Sequence, residues 1–369
     1  MAKSSKIKVG IIGVGNCAKS LVEGVQYYAE NNKEETGVMK TDIGGYLAGD
    51  VEFVIGFDID ERKTGLGLGK ALKQRPNCAW DIVDTIKCNA PVFESPVIDG
   101  YAGLMDSYPE ENRFLVSEKL RNSTDMNRVS WTSKLERSWK DSIIKELKKR
   151  DVEVLVNYLP VGSQKTTEFW AEICLETGIS FVNCIPVFIA SDPAWEQRFI
   201  DAGIPLIGDD MRSQFGASIL SQMLQELAFE RGHHVKAHIQ RNVGGNTDFL
   251  NMEDKSRLAS KKISKENVIR AQNDIRNIST EDSFLHAGPS EYIHYYGDNK
   301  VANFRLELEG FGGSPVIFDA QLSVQDSPNS AGVVIDAIRY LKVARELGVV
   351  GALRGPSAFT QKTPPDQMM

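Results

Sequence analysis

K-I-K-V-G-I-I-G-V-G-N-C-A-K-S, from Lys6 to Ser20, decides the fold. Ile7, Val9, Ile11 and Ile12 form a short run rich in β-branched residues, as in a strand buried inside a parallel sheet. Gly13 to Ala18 follows at once and fits G-x-G-x-x-A, and Leu21, Val22, Val25 and Tyr28 then recur at helical spacing. Strand, glycine turn and helix arrive in the order of a dinucleotide site. Gly13 suits the tight turn, Gly15 the close approach of backbone to a pyrophosphate, and Ala18 the packing of helix on strand. The helix N-terminus would face the phosphates with its free N–H groups. A structural glycine turn in another α/β fold would show the same residues, so the order around the motif carries the reading.

Working outward, Val51 to Phe57 reads as the second strand, ending in Asp58-Ile59-Asp60. An acid at that strand end accepts from the adenosine ribose hydroxyls and repels a 2′-phosphate, which favours NAD over NADP. The competing reading of Asp58 is a helix cap. The acid usually follows the glycines by about 20 residues. Here it comes later, so the polar, turn-rich residues 30–50 read as an insertion. Pro91-Val92-Phe93 is a short strand, while residues 109–135 read as a surface excursion. A helix over 138–150 leads into the strand Val152 to Val156, and a helix over 166–177 into Ile179 to Val182. The loops after these strands, 157–163 and 183–193, fall on the ligand-binding edge of the sheet. The fold class is α/β, a Rossmann-type doubly wound parallel sheet.

After about residue 210 the pattern changes. Val235, Ala237 and Ile239 alternate with polar residues, as do 304–309 and 316–324. Period-two alternation marks strands covered on one face, most simply an antiparallel sheet. The expected division is an NAD-binding domain of residues 1–209 plus 326–369, and an α+β domain of residues 210–325 for catalysis and oligomerisation. The apolar helix that Asp326-Ser327-Pro328-Asn329 opens returns the chain to the first domain.

A net charge of −7 gives no support for nucleic-acid binding, and no run of residues is apolar enough to span a membrane. Met1-Ala-Lys-Ser-Ser leads into the first strand without a signal peptide. Five cysteines without a C-x-x-C pair fit a reducing cytoplasm. His233, His234 and His238 suggest zinc only weakly, because on a strand their side chains do not converge. Cys174 and Cys184 lack a nearby histidine and read as core residues. The adjacent Asp209 and Asp210 beside Arg212 could hold a substrate, a metal or each other. The amides, carboxylate and lysines of 242–265 suit a phosphorylated polyol, or equally a solvated helix end.

Several motifs stand in one order. V-G-N-C-A (Val14 to Ala18), Y-L-P-V-G-S (Tyr158 to Ser163) and P-V-F-I-A-S-D-P (Pro186 to Pro193) come first, then G-D-D (Gly208 to Asp210). N-V-G-G-N-x-D-F-L-N (Asn242 to Asn251), S-K-K-I-S-K (Ser260 to Lys265), D-S-P-N-S-A-G-V (Asp326 to Val333) and K-T-P-P (Lys362 to Pro365) complete the set. With them the chain resembles the short myo-inositol-1-phosphate synthases of bacteria and archaea, from Lys8 to about Asp366, most weakly over 60–140.

The resemblance implies an isomerase, an intramolecular lyase of inositol and phospholipid biosynthesis, that holds NAD tightly and consumes none. Glucose 6-phosphate would be oxidised at C5, enolised by loss of a C6 proton, closed by aldol attack on C1, and reduced again. Lys261 matches a lysine near the substrate, Lys362 one implicated in proton transfer, and Asp298 an acid that orients lysine and substrate. Asn246 and Asp248 would line the same pocket. Asn16, Cys17, Tyr158, Pro160, Ser191, Asp210, Asp326 and Asn329 join Gly13, Gly15 and Asp58 as expected cofactor contacts. A homotetramer built through the second domain's sheet is implied as well. A divalent or monovalent cation is a further candidate, with Asp210 among the groups that could hold it.

One departure stands out. The family pattern is G-D-D-[IL]-K-S, and here Met211-Arg212-Ser213 follows the aspartates. That lysine is assigned to the hydride-transfer centre, and arginine is a poor acid or base. Arg212 then acts electrostatically, or the chain is a divergent relative with another substrate. An ordinary NAD-dependent dehydrogenase of a sugar phosphate or cyclitol, and a non-catalytic NAD-binding assembly, are the alternatives from other classes.

Overall fold

The computed structural model describes residues 6–31, 36–257, 263 and 284–366. In chain order the strands are β1 (Ile7–Ile12), β2 (Val51–Asp58), β3 (Val92–Glu94), β4 (Val154–Asn157), β5 (Ser180–Asn183) and β6 (Pro205–Ile207). They continue with β7 (His234–Gly244), β8 (Phe284–Tyr292), β9 (Asn299–Glu309), β10 (Pro315–Gln325) and β11 (Gly351–Ala352). The helices that shape the site are α1 (Asn16–Glu30), α2 (Gln164–Thr177), α3 (Ala217–Glu230), α4 (Thr247–Asn251), α5 (Pro328–Leu347) and α6 (Arg354–Thr360).

The first sheet is parallel throughout, in the order β11-β6-β5-β4-β1-β2-β3. Strand order reverses between β1 and β4, the crevice where open α/β sheets bind their ligands. Helices cover both faces. Leu21, Val22 and Val25 of α1 meet Val334, Ile338 and Leu341 of α5 on one side. On the other, Trp170 of α2 is fully buried, its ring centroid 4.8 Å from that of Phe57. Burial on both faces is why these strands read as continuous apolar runs.

The second sheet has the order β10-β9-β7-β8. The β10–β9 and β9–β7 pairs are antiparallel, but β8 runs parallel to β7. The expected antiparallel sheet is therefore mixed. The physical reason is the length of the connection. Antiparallel neighbours need only a tight turn, such as Gly310–Ser314 between β9 and β10, whereas a parallel neighbour needs a long crossover. The stretch 245–283 separates β7 from β8. The alternation in β9 and β10 is the pattern of one covered face, with Ala302, Phe304, Ala320 and Leu322 packed under α3. His238 is buried there between Ser221 Oγ at 3.0 Å and Gln225 Oε1 at 2.9 Å, while His234 is exposed. Burial lowers the His238 pKa to about 4. Among the described residues, no helix is long and apolar enough to cross a membrane.

Candidate active site

A cleft open to solvent lies between the C-terminal strand ends of the first sheet and β7, α4 and β9 of the second. It runs without a break from the glycine turn to Lys300 and Lys362.

The glycine turn forms one end. Gly13 adopts φ +87°, its N–H donating to Phe57 O at 2.8 Å, and a Cβ there would lie 2.6 Å from Tyr158 O. Gly15 precedes α1 with no side-chain cap, and a Cβ on it would meet nothing within 4 Å. The N-terminal amides of α1 are thus left to a ligand, and the space over Gly15 is open cleft. These residues fit a bound pyrophosphate. The two glycines should separate on mutation. Gly15→Ala is expected to keep the wild-type melting temperature and weaken NAD at least about tenfold, by crowding the pyrophosphate. Gly13→Ala should lose roughly 1–3 kcal/mol of stability as well. Thermal unfolding and calorimetric titration check both.

Asp58, at the end of β2, accepts Val14 N–H at Oδ2 (2.7 Å) and the Ile59 and Asp60 amides at Oδ1 (2.8 Å each). It therefore clamps the glycine turn while lining the cleft. The Tyr158 hydroxyl is buried at the cleft with no hydrogen-bond partner among the described residues, and burial holds its pKa well above the usual value. Pro160 lines the same wall. The Asn16 side chain accepts Cys78 N–H at 2.9 Å. Burial and then the Asp298 charge push the Cys17 thiol up to about 12, which excludes it as a thiolate nucleophile.

The opposite wall is a polar network. Asp298, 2% exposed, accepts from Asn246 Nδ2 (3.1 Å), Ser327 N–H (3.0 Å) and Ser327 Oγ (2.8 Å). Asn246 Oδ1 in turn caps α4 by accepting the Asp248 and Phe249 amides. Lys300 is ion-paired with Asp326, and both line the cleft with Asp248. Burial and, second, the Asp326 charge raise the Asp298 pKa to about 6. Its three partners all donate, so the carboxylate holds them better than the neutral acid. The acid limb of kcat/KM against pH is therefore expected near 6. Because the folded-state pKa lies above the ordinary carboxylate value, ionising Asp298 lowers stability as pH rises from about 4 to 6. A rate profile flat down to pH 5 would rule its ionised form out of the working state.

The third wall is a strap. Asp209 N–H donates to Thr363 O (2.9 Å), Thr363 N–H to Asp209 O (3.0 Å) and Lys362 N–H to Asp210 O (2.7 Å). This pairing lays the segment after α6 along residues 208–212 and brings Lys362 Nζ to 2.8 Å from Asp210 Oδ1, in the cleft.

Three expected residues sit elsewhere, and a fourth is not described. Ser191 gives its amide (3.0 Å) and hydroxyl (2.8 Å) to the fully buried Asp209, behind the cleft wall. Burial pushes the Asp209 pKa up to about 6. Asn329 is held at Phe215, whose amide it accepts at 3.2 Å and whose carbonyl it donates to at 2.7 Å. Arg212, 5% exposed, is turned to Gln361 O and, at 3.1 Å, to Gln222 Oε1. Lys261 lies outside the described residues. Conversely, Lys300 and Lys63 line the cleft but are not among the expected site residues. Lys300 had a signal, standing two residues after Asp298, but a lysine in the polar turn 60–65 carries none.

A Rossmann-type sheet with a glycine turn, facing a second sheet that brings Lys300 to the same cleft, places the chain in a class of α/β enzymes. The family model for myo-inositol-1-phosphate synthase matches residues 216–327. The chain is 41% identical to the inositol-3-phosphate synthase of Corynebacterium glutamicum, over 99% of this chain and 95% of that one. It is 40% identical to that of Mycolicibacterium smegmatis, over 99% and 95%. Among solved structures, a myo-inositol-1-phosphate synthase-related protein from Thermotoga maritima superposes with a TM-score of 0.76 at 25% identity, covering 96% of this chain and 92% of that one. The Caenorhabditis elegans inositol-3-phosphate synthase shares the fold, with a TM-score of 0.63 at 14% identity over 91% and 74%. The chain belongs to the inositol-3-phosphate synthase family.

Proposed function

We propose that the chain converts glucose 6-phosphate to inositol 3-phosphate as an isomerase. The single observation that carries this is Lys362, strapped against Asp210, lining one cleft with Lys300 and the glycine turn. Bound NAD would supply the chemistry of taking a hydride from C5 and returning it after ring closure. Gly13, Gly15, the α1 N-terminus and Asp58 would hold it. As its neutral amine Lys362 takes the proton of the C5 hydroxyl, and the ammonium so formed, held by Asp210, gives it back at the end. Ketone formation makes the C6 proton acidic. The Lys300 ammonium faces the enolate and alkoxide charge that then develops, and the family pattern assigns Lys261 to the same task. Asp298 acts by position, through Asn246 and Ser327, and Asp326 aims Lys300. Asp248 belongs to the substrate side of the cleft.

We further propose the division into residues 1–209 plus 326–369 and residues 210–325, and a homotetramer. Val316, Ile317 and Phe318 of β10 are exposed, which supports a face for subunit contact. A cation near Asp210 remains a proposal from its carboxylate alone.

The test is phosphorus and carbon NMR of the protein given glucose 6-phosphate labelled at C6 with catalytic NAD. A cyclitol phosphate should appear without NADH. Stoichiometric NADH would replace the synthase with a dehydrogenase, and bound NAD with no conversion would remove glucose 6-phosphate as substrate.

A further inference from the structure

Lys63 is 1% exposed and lines the cleft beside Asp58, yet among the described residues its ammonium has a single acceptor, Val14 O at 2.7 Å. Among the described residues it has no carboxylate partner. An ammonium carries three donors and is costly to take out of water without acceptors for them. Two remain for whatever fills the cleft. Asp58 stands in the opposite condition. Its Oδ1 already takes two amides, and only Oδ2, which takes Val14 N–H, keeps capacity towards the cleft. Val14 is thus gripped at its N–H by a carboxylate and at its carbonyl by an ammonium, and both side chains, though buried, line the same cleft.

We propose that Lys63 is a binding residue for the adenosine ribose, forming with Asp58 a donor–acceptor pair that reads the 2′-hydroxyl. The hydroxyl donates to Asp58 Oδ2 while its oxygen accepts from Lys63 Nζ. A vicinal diol satisfies both groups together, whereas an acid already occupied by three amides holds it poorly alone. This inference rests on the dinucleotide reading of the cleft. It adds that ribose recognition belongs to two side chains rather than to Asp58.

The experiment is calorimetric titration of the full chain, wild type and Lys63→Met, with NAD and with its 2′-deoxyadenosine analogue. The wild type should prefer NAD by about tenfold, the worth of a charge-assisted hydrogen bond. Lys63→Met should weaken NAD by about tenfold and the analogue by less than about twofold, erasing the preference. Equal weakening of both ligands would make Lys63 a mere brace of the glycine turn and overturn the proposal. A wild type that does not distinguish the two ligands overturns it without any variant. A wild type that binds neither removes the dinucleotide reading itself.

Discussion

Lys362→Met is expected to lower turnover of glucose 6-phosphate by roughly 10³-fold, within the range for removing a general acid–base, and to leave NAD affinity unchanged. The ammonium is placed by two independent constraints. Its own amide donates to Asp210 O at 2.7 Å, and its Nζ lies 2.8 Å from Asp210 Oδ1. Asp210 is itself held in the left-handed region, φ 61°, which a residue with a Cβ adopts at a cost of about 1–3 kcal/mol. A strained residue pinned on both sides is a precise mount for a reactive side chain. The methionine variant also takes this partner from a carboxylate that is 1% exposed, and breaking a buried pair costs about 3–5 kcal/mol. Lost activity could then be lost folding. Lys362→Arg separates the two, since arginine keeps the ion pair and exchanges no proton at useful pH. It should melt like the wild type and be as inactive as the methionine variant. More than about a tenth of wild-type kcat in Lys362→Arg would remove proton transfer from Lys362 and leave it an electrostatic role.

What was legible in the sequence was local or periodic. Ile7 to Ile12, the glycines and α1 are one contiguous segment, and each inference there concerned neighbours in the chain. Asp58 was legible because a strand end has a fixed address relative to the first turn. Other features depend on chain crossings that leave no period. Lys362 and Asp210 are 152 residues apart, and nothing within either segment marks the other. Ser191 shows the same limit differently. It does follow a strand at the ligand edge, as expected, but Asp209, on the next strand's loop, captures its hydroxyl. Strand β8 was missed because His286, Gly288 and Glu291 dilute its apolar residues, and its parallel pairing with β7 depends on a crossover rather than on composition.

Arg212 turns these contacts into a second expected result, because its place in the strap decides what the departure from the family lysine means. Its guanidinium spans the carbonyl of Gln361, one residue before Lys362, and Gln222 of α3, while its amide donates to Thr360 O at 2.8 Å. A rigid fork makes those two side-chain bonds together, and one ammonium on a flexible stem replaces them less well. Burial lowers the Arg212 pKa to about 10, which still leaves it charged at neutral pH. The group therefore acts by holding the strap. Arg212→Met should cut kcat about 100-fold, the cost of a misplacement of about 1 Å, and lower stability by roughly 2–3 kcal/mol for two lost bonds. NAD affinity should barely change. Arg212→Lys, which keeps the charge and one bond, should fall within about fivefold of wild type. The opposite result is the informative one. If Arg212→Lys raised inositol phosphate output more than about tenfold, the native arginine would be holding the site away from this product. The substrate would then be sought among other sugar phosphates, with the strap, the clamp on Val14 and the Asp298 network serving a different ring closure.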